Sequence, residues 1–352
     1  MSETTVASFS LEELQLATRN RGMPLEALRY DLTPTGLHYL LVHFDIPYTD
    51  PATWQLRIGG NVERPQTLSL DDVLALPSRT EAVTLECAGN GRAQMSPRAF
   101  SQPWLNEAIG TAEWTGTSLD HVLRAAGVRD DTVEVVFTGA DHGVQGDVEH
   151  DYARSLPLRE TAREEVLVAW AMNGRPLEPQ HGAPLRLLVP GWYGMTSVKW
   201  LTQIDAVTTP FDGFQQTGTY RFRTDEDDPG EPVSRMRVRA LMVPPGFPDF
   251  PHRRRVLPAG TTTVRGRAWS GTAPVVSVEV AVDGEWQQAE VAPAPSRYAW
   301  AEWRWSWEAT PGEHVLACRA TDADGHTQPD QAAWNVEGMA NNRVQQVPVT
   351  VR

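Results

Sequence analysis

The stretch Glu86-Cys87-Ala88-Gly89-Asn90-Gly91-Arg92 carries one of only two cysteines in a chain of 352 residues. The thiol follows an apolar run, Ala82-Val83-Thr84-Leu85, and precedes a turn of small residues that ends in a guanidinium. Two readings stand side by side. A free cysteine is commonly a small buried hydrophobe. A thiolate, by contrast, needs a cation or a metal to stay ionised, and glycines let a bulky ligand approach the backbone. Arg92, Gly89 and Gly91 supply the setting of the second reading. Cys318, inside the alternating HVLACRA, has no such setting and reads as core.

A second constellation is HGAPLRLLVPGWYGMTSVKWL, which joins His181, Arg186 and Lys199 through backbone rich in Gly and Pro. Three cationic or donor groups with free N–H groups between them suit an anion, a phosphate especially. A solvated loop is the alternative, and the apolar density of the stretch speaks against full exposure. A Cys–His hydrolase is also compatible, with Cys87 as nucleophile and His43, His142 or His181 as base; the sequence does not single out the base. No G-x-S-x-G, P-loop, G-x-G-x-x-G or H-E-x-x-H occurs, so esterase, P-loop, Rossmann and zincin readings lose their support. Two cysteines cannot build a Cys-rich zinc or iron–sulfur site, and without C-x-x-C-H there is no c-type haem attachment.

These residues need elements to position them. SLEELQLATRN predicts a helix with Ser10 as N-cap and Glu13 closing a capping box. LHYLLVHFDIP reads as β-rich, WQLRIGG as a strand, and SLDDVLALP as a short helix begun by Ser69 and stopped by Pro77. AVTLEC is a strand into the cysteine turn. SLDHVLRAAGV is a helix from Ser118 to a Gly127 stop, and TVEVVFTGAD a strand. Strands and short helices alternate without a regular βαβ period, so α+β is expected. The acidic, Pro/Gly-bearing stretch 223–236 predicts a linker, with domains at 1–228 (an N-terminal extension over 1–30) and 229–352. Beyond it, alternating strands with Asp-Gly turns predict an all-β immunoglobulin-like sandwich. Trp303, Trp305 and Trp307 share one strand face, which suits a sandwich core or an oligomer interface.

A formal charge of −14 argues against nucleic-acid and anionic-membrane partners. The N-terminus lacks a basic n-region, an apolar h-region and a twin-arginine pair, and no run approaches the ~18 apolar residues of a membrane span. The expectation is a soluble cytoplasmic protein, or a periplasmic one whose leader has been removed.

TLECAGNGR together with GWYGMTSVKWL resembles the sulfite oxidase family of molybdenum enzymes, which includes the molybdenum domain of assimilatory nitrate reductase. The resemblance runs from about residue 30 to the end; AIGTAEWTG, HDYARSLPL, AMNGRPLEPQHGAPLR and RAWSG match in order. It implies a sulfite-oxidase-type molybdopterin domain of α+β fold, an immunoglobulin-like dimerisation domain and a homodimer. It also implies one pterin dithiolene with molybdenum bound by Cys87, a soft thiolate for a soft metal site. Cofactor contacts are implied at Tyr39, His43, Asp141, His181, Arg186, Ser197, Val198 and Lys199, and a substrate pocket at Arg92, Trp104 and Tyr152. The implied reaction oxidises sulfite to sulfate, with electrons passing singly to an external acceptor, a cytochrome or a small molecule, and no haem in the chain. Reduction of nitrate or a sulfoxide on the same site is the closest alternative, and a cofactor-free binding protein that keeps the fold is another. Two departures bear on the substrate. Leu41 stands where the family has an arginine, and Ser277 is matched to a second pocket arginine; Arg154 or Arg98 are candidates to compensate.

Overall fold

The computed structural model describes residues 9–225 and 227–352. Short helices are scattered among strands, as α+β requires, and the strands gather into sheets that divide between two parts of the chain. In the first part a five-stranded mixed sheet runs in the order Gln66–Ser69, Gln55–Gly60, Leu201–Val207, Glu134–Gln145, Val148–Pro157. A second sheet pairs Ser78–Glu86, Ile109–Ser118, Leu167–Met172 and Arg175–Pro176, with Arg186–Leu188 added to the third of these. The helix Leu119–Ala126 buries Leu119, Val122, Leu123 and Ala126 against this core and stops at Gly127, which takes φ +69. Ser118 occupies the cap position without a side-chain bond to the helix.

The N-terminal helix Leu11–Arg19 has the capping box its sequence spells: Ser10 accepts from the Glu13 amide while Glu13 accepts from the Ser10 amide. Residues 38–44 differ from expectation. Their apolar character does not make a strand; only Leu40 bridges, to Arg21. His38, Tyr39, Leu41 and His43 instead turn into cavities of the first part, so the hydrophobicity of this stretch reflects burial against a site.

The second part is a two-sheet sandwich. One sheet has the order Arg239–Met242, Gly260–Trp269, Ala301–Ala309, Glu290–Val291; the other contains Val275–Val282, Gly312–Asp322 and Gln345–Val351. Trp303 and Trp307 are buried between the sheets with Cys318, and Trp305 packs at their margin, so the tryptophan stripe is sandwich core.

The stretch 223–236 is not a loose tether. The strand pair Arg221–Phe222 and Glu231–Pro232 closes it, Asp228 accepts from the amide and hydroxyl of Thr224, and Val233 and Met236 are buried. The two parts share a core of Met23, Ala88, Ile109, Tyr193, Leu241, Trp269, Trp300 and Met339. No helix among the described residues is long and apolar enough to cross a membrane.

At the centre of this junction Glu86 accepts from Arg239 at 2.7 Å, from Asn90 at 2.9 Å and from the Trp269 indole at 2.9 Å. Both charged side chains of the pair are 2% exposed. Removing one member of a buried ion pair leaves the other charge uncompensated, typically at about 3–5 kcal/mol. Arg239→Met is expected to lower the unfolding free energy from urea titration by an amount of that order, and the urea midpoint with it. A midpoint equal to that of the parent protein would contradict the anchoring role.

Candidate active site

The strand Ser78–Glu86 delivers Cys87 into a turn that is bolted on every side. The Cys87 amide donates to Ala108 O at 2.9 Å, and its carbonyl accepts from Asn90. Asn90 accepts in turn from the Ala108 amide at 3.1 Å. The sandwich side reaches over: Ala340 N donates to Ala88 O at 2.7 Å, Asn341 Nδ2 donates to Gly91 O at 2.7 Å, and Arg92 Nε donates to Glu337 O at 2.7 Å. The glycines serve a different end from the one their sequence suggests. A Cβ on Gly89 would strike the Arg92 guanidinium at 2.8 Å, and Gly91 takes φ +91 against Asn341. They make room for the arginine and for the domain junction, not for a ligand.

Cys87 stands on the wall between two cavities that share Leu41, His43, Cys87 and Tyr220. The first, of about 630 Å³, is the cation cavity. Arg186 is held by the carbonyls of His181 (3.0 Å) and Ser197 (3.1 Å), and Lys199 by those of Leu41 (2.8 Å) and Gln180 (3.3 Å). Arg186 also lies over the Trp114 ring, 4.8 Å from its centroid. Burial pushes Arg186 down to about 10, and burial with the neighbouring Arg186 charge pushes Lys199 down to about 7, Asp141 pulling the other way. His181 is pushed down to about 3 by burial and by His38, Arg186 and Lys199. Among the described residues neither Arg186 nor Lys199 has a carboxylate at ion-pair distance. Asp141, whose carboxyl burial pushes up to about 7, leaves Oδ1 buried with no partner.

Concentrated positive charge without counter-ions, beside an orphaned acceptor, is costly unless an anion and a donor complete it. A pterin phosphate and the N–H groups of a pterin ring do so. Cys87 supplies the soft donor beside them, and no cluster of three or more His, Cys, Asp or Glu among the described residues offers a metal a protein-only cage. Burial pushes the Cys87 thiol up, opposed by the Arg92 guanidinium and the Gly89 amide; a bound metal ion would release its proton outright. The residues present therefore fit a molybdopterin.

The second cavity, of about 1060 Å³, holds Arg92 and Trp104 at its inner end beside Cys87. Of the expected site residues, Tyr39, His43, Cys87, Asp141, His181, Arg186, Ser197 and Lys199 line the first cavity. Val198 does not; its side chain belongs to the hydrophobic core behind. Tyr152 lines only the first cavity, where its hydroxyl donates to Met195 O at 2.8 Å. The tyrosine common to both cavities is Tyr220, which the sequence reading missed. Its hydroxyl lies 2.7 Å from His43 Nε2, and burial pushes its phenol up, so it stays protonated. Ser277 lies on a sandwich strand, bonded to Gln288 and touching neither cavity, so it replaces no pocket arginine. Leu41 does line both cavities. Neither proposed substitute cation enters them: Arg154 is buried behind the Tyr220 ring (5.3 Å), bonded to Gln215 O, and Arg98 pairs with Glu13 of the N-terminal helix. The sandwich side instead contributes Glu337 and Met339 to the second cavity, and the N-terminal helix contributes Leu16 and Arg19.

Comparison with known proteins agrees with this geometry. Residues 43–215 match the family described as "Oxidoreductase molybdopterin binding domain", and residues 234–352 the "Mo-co oxidoreductase dimerisation domain". Mitochondrial sulfite oxidase of Mus musculus is 33% identical over 346 residues, covering 91% of this chain. The chain spans 62% of that relative's length. Sulfite oxidase of Gallus gallus is 33% identical over 328 residues, covering 88% of this chain and 71% of that one. Nitrate reductase [NADH] 1 of Oryza sativa subsp. japonica is 29% identical, covering 91% and 38%. In fold, the chain superposes over its full length on the sulfane dehydrogenase SoxCD from Paracoccus pantotrophus, covering 95% of that chain, with TM-score 0.82 and 22% identity.

The buried Lys199 makes a pH signature. Unfolded, its amine keeps a proton up to about the ordinary 10.5; folded and cofactor-free, it loses it near 7. Between those values the unfolded chain binds more protons, so stability rises with pH. The Tm difference between the cofactor-free parent and Lys199→Met should move in the parent's favour from pH 7 to pH 10, and the variant should retain molybdopterin at least about tenfold less well, given ~1.5–3 kcal/mol for a charged hydrogen bond. A pH-independent difference would contradict the buried-amine account.

Proposed function

We propose that this chain, which belongs to the sulfite oxidase family of molybdopterin oxidoreductases, is an enzyme that oxidises sulfite to sulfate and passes electrons to an external one-electron acceptor. The observation that carries the reading is the position of Cys87 on the wall between a cation cavity and a cavity that ends in Arg92. The balanced change is SO₃²⁻ + H₂O → SO₄²⁻ + 2H⁺ + 2e⁻.

In the first cavity Arg186 and Lys199 would hold the cofactor's phosphate, Asp141 would accept from its pterin ring, and the Cys87 thiolate would bind molybdenum. When bound, the group supplies a metal centre that transfers an oxygen atom and takes up two electrons. Everything else is done by this chain. Arg92 binds the substrate oxyanion; its amide bond to Gly89 O and its side-chain bonds to Glu337 O and Gln102 O fix its approach, so little reorganisation is needed on binding. The Tyr220 hydroxyl, protonated at neutral pH, donates to oxyanion or to His43. His43, pushed down to about 3 by burial, stays neutral beside it. Trp104 walls the pocket and excludes water from the inner end.

A second reading, reduction of nitrate or a sulfoxide, is favoured by one observation: Leu41 leaves the inner end with a single buried guanidinium, enough for a singly charged or neutral oxygen donor. The match of residues 234–352 to a dimerisation domain supports a homodimer.

Molybdenum-loaded protein is expected to reduce ferricyanide with sulfite faster than it oxidises reduced viologen with nitrate. The opposite order selects the second reading. Arg92→Met should raise the KM for sulfite by roughly 10- to 100-fold, the equivalent of one charged hydrogen bond at ~1.4 kcal/mol per tenfold. Cys87→Ser should keep the parental circular dichroism and Tm and lose turnover. Sulfite-dependent turnover in Cys87→Ser at the parental rate would overturn the assignment.

A further inference from the structure

The second cavity is far larger than a sulfite ion needs, and its walls have the wrong chemistry for a bare dianion. At the inner end there is one buried guanidinium, Arg92, whose bonds among the described residues go to the carbonyls of Glu337 (2.7 Å) and Gln102 (3.5 Å). The position where a second cation is expected holds Leu41. Glu337 lines the same space; burial pushes its carboxyl up, opposed by the Tyr220 amide and the nearby Arg92 charge. Trp104 and Met339 are buried in the wall, and towards solvent Leu16, Phe44, Phe100 and Val144 line it together with Ser101, Gln145 and Thr219. Phe100 and Val144 are 68% and 64% exposed, unusual for large apolar side chains at the rim of a site for a small hydrated anion. Among the described residues Arg19 adds the other positive charge, at the mouth, where it donates to His43 O at 3.1 Å.

One buried cation at the inner end and an apolar strip of Leu16, Phe44, Phe100 and Val144 leading away from it suit a molecule with one negative charge at one end and a hydrocarbon tail at the other. We infer that the substrate class of this site is an organic sulfinate, R–SO₂⁻, with the sulfinate against Arg92 and R along the Phe44–Phe100–Val144 wall. The inference rests on the reading of the site as one that oxidises a sulfur oxyanion, and it changes what that oxyanion carries. A sulfinate keeps the sulfur lone pair that sulfite offers but needs one counter-charge, which Arg92 supplies, while a dianion leaves its second charge without a buried cation at the inner end. The reaction is R–SO₂⁻ + H₂O → R–SO₃⁻ + 2H⁺ + 2e⁻: one S–O bond forms, its oxygen comes from water, two protons are released, and two electrons leave singly to the external acceptor. An uncharged S-oxide, by contrast, leaves the buried guanidinium without an anion, which the low-dielectric inner end penalises.

The test uses molybdenum-loaded protein with ferricyanide and three probes: sulfite, methanesulfinate and benzenesulfinate. The kcat/KM for benzenesulfinate is expected to exceed those for methanesulfinate and sulfite by roughly tenfold or more, as burial of a phenyl ring allows. Phe100→Ala should shrink the benzenesulfinate-to-sulfite ratio several-fold. A second readout needs no turnover: calorimetry on the oxidised protein should show benzenesulfonate binding at least about tenfold tighter than sulfate, and the Phe100→Ala variant losing most of that advantage. Turnover of sulfite with benzenesulfinate inert, or equal constants along the series, overturns the inference and leaves sulfite oxidation standing. No turnover of any of the three by protein shown to hold molybdenum overturns the sulfur-oxidation reading, and the inference with it.

Discussion

The carboxylate of Glu86 is the hinge pin of the molecule. It is buried, and it is satisfied by groups from both parts of the chain: Asn90 of its own turn, and Arg239 and Trp269 of the sandwich. Arg239 also reaches Asn106 at 2.6 Å, in the loop that precedes the strand Ile109–Ser118. The residue next along the chain is Cys87. A buried charge tolerates little displacement before its hydrogen bonds fail, so the sulfur inherits a fixed position from its neighbour. The sandwich is thus part of the active site without lining the cofactor cavity. It sets the Cys87 turn through Arg239, Ala340 and Asn341, orients Arg92 through Glu337 O, and adds Met339 to the substrate wall.

The two cavities divide the electrostatic work. In the first, Arg186 and Lys199 are held by backbone carbonyls, which fix their direction without neutralising them. That arrangement destabilises the cofactor-free protein and is repaid when an anion arrives, which is how a site comes to be preorganised for charge. In the second, Arg92 is the buried cation among the described residues, Arg19 lies at the mouth, and apolar side chains share the wall with Gln102, Gln145 and Thr219. The first cavity is therefore specified chiefly by charge, and the second by a single buried cation within a mixed apolar and polar wall.

Much of this was legible along the chain, for reasons that are local. The Ser10–Glu13 capping box, the Gly127 helix stop and the period-2 tryptophans of the sandwich act over a few residues and appear as spelled. The cluster His181, Arg186, Lys199 was legible too, because its members are close in sequence. What escaped depends on contacts between distant segments. Tyr220 lies in TGTYRFR, which carries no motif; it becomes a site residue only by meeting His43, 177 positions away. Glycines 89 and 91 announced space but not what fills it, since Arg92 and Asn341 arrive through the fold. Residues 38–44 looked like a strand because burial against a cavity and burial in a sheet leave the same apolar signature. Ser277 was matched through the family resemblance, and resemblance along a strand does not say which face meets the neighbouring domain.

The central claim is a bond from the sulfur of Cys87 to molybdenum at the junction of the two cavities. Molybdenum K-edge X-ray absorption on loaded parent protein and on Cys87→Ser tests it most directly. The account predicts that the variant, still loaded, loses one sulfur from the metal's first coordination sphere. An unchanged sulfur count in Cys87→Ser would contradict it.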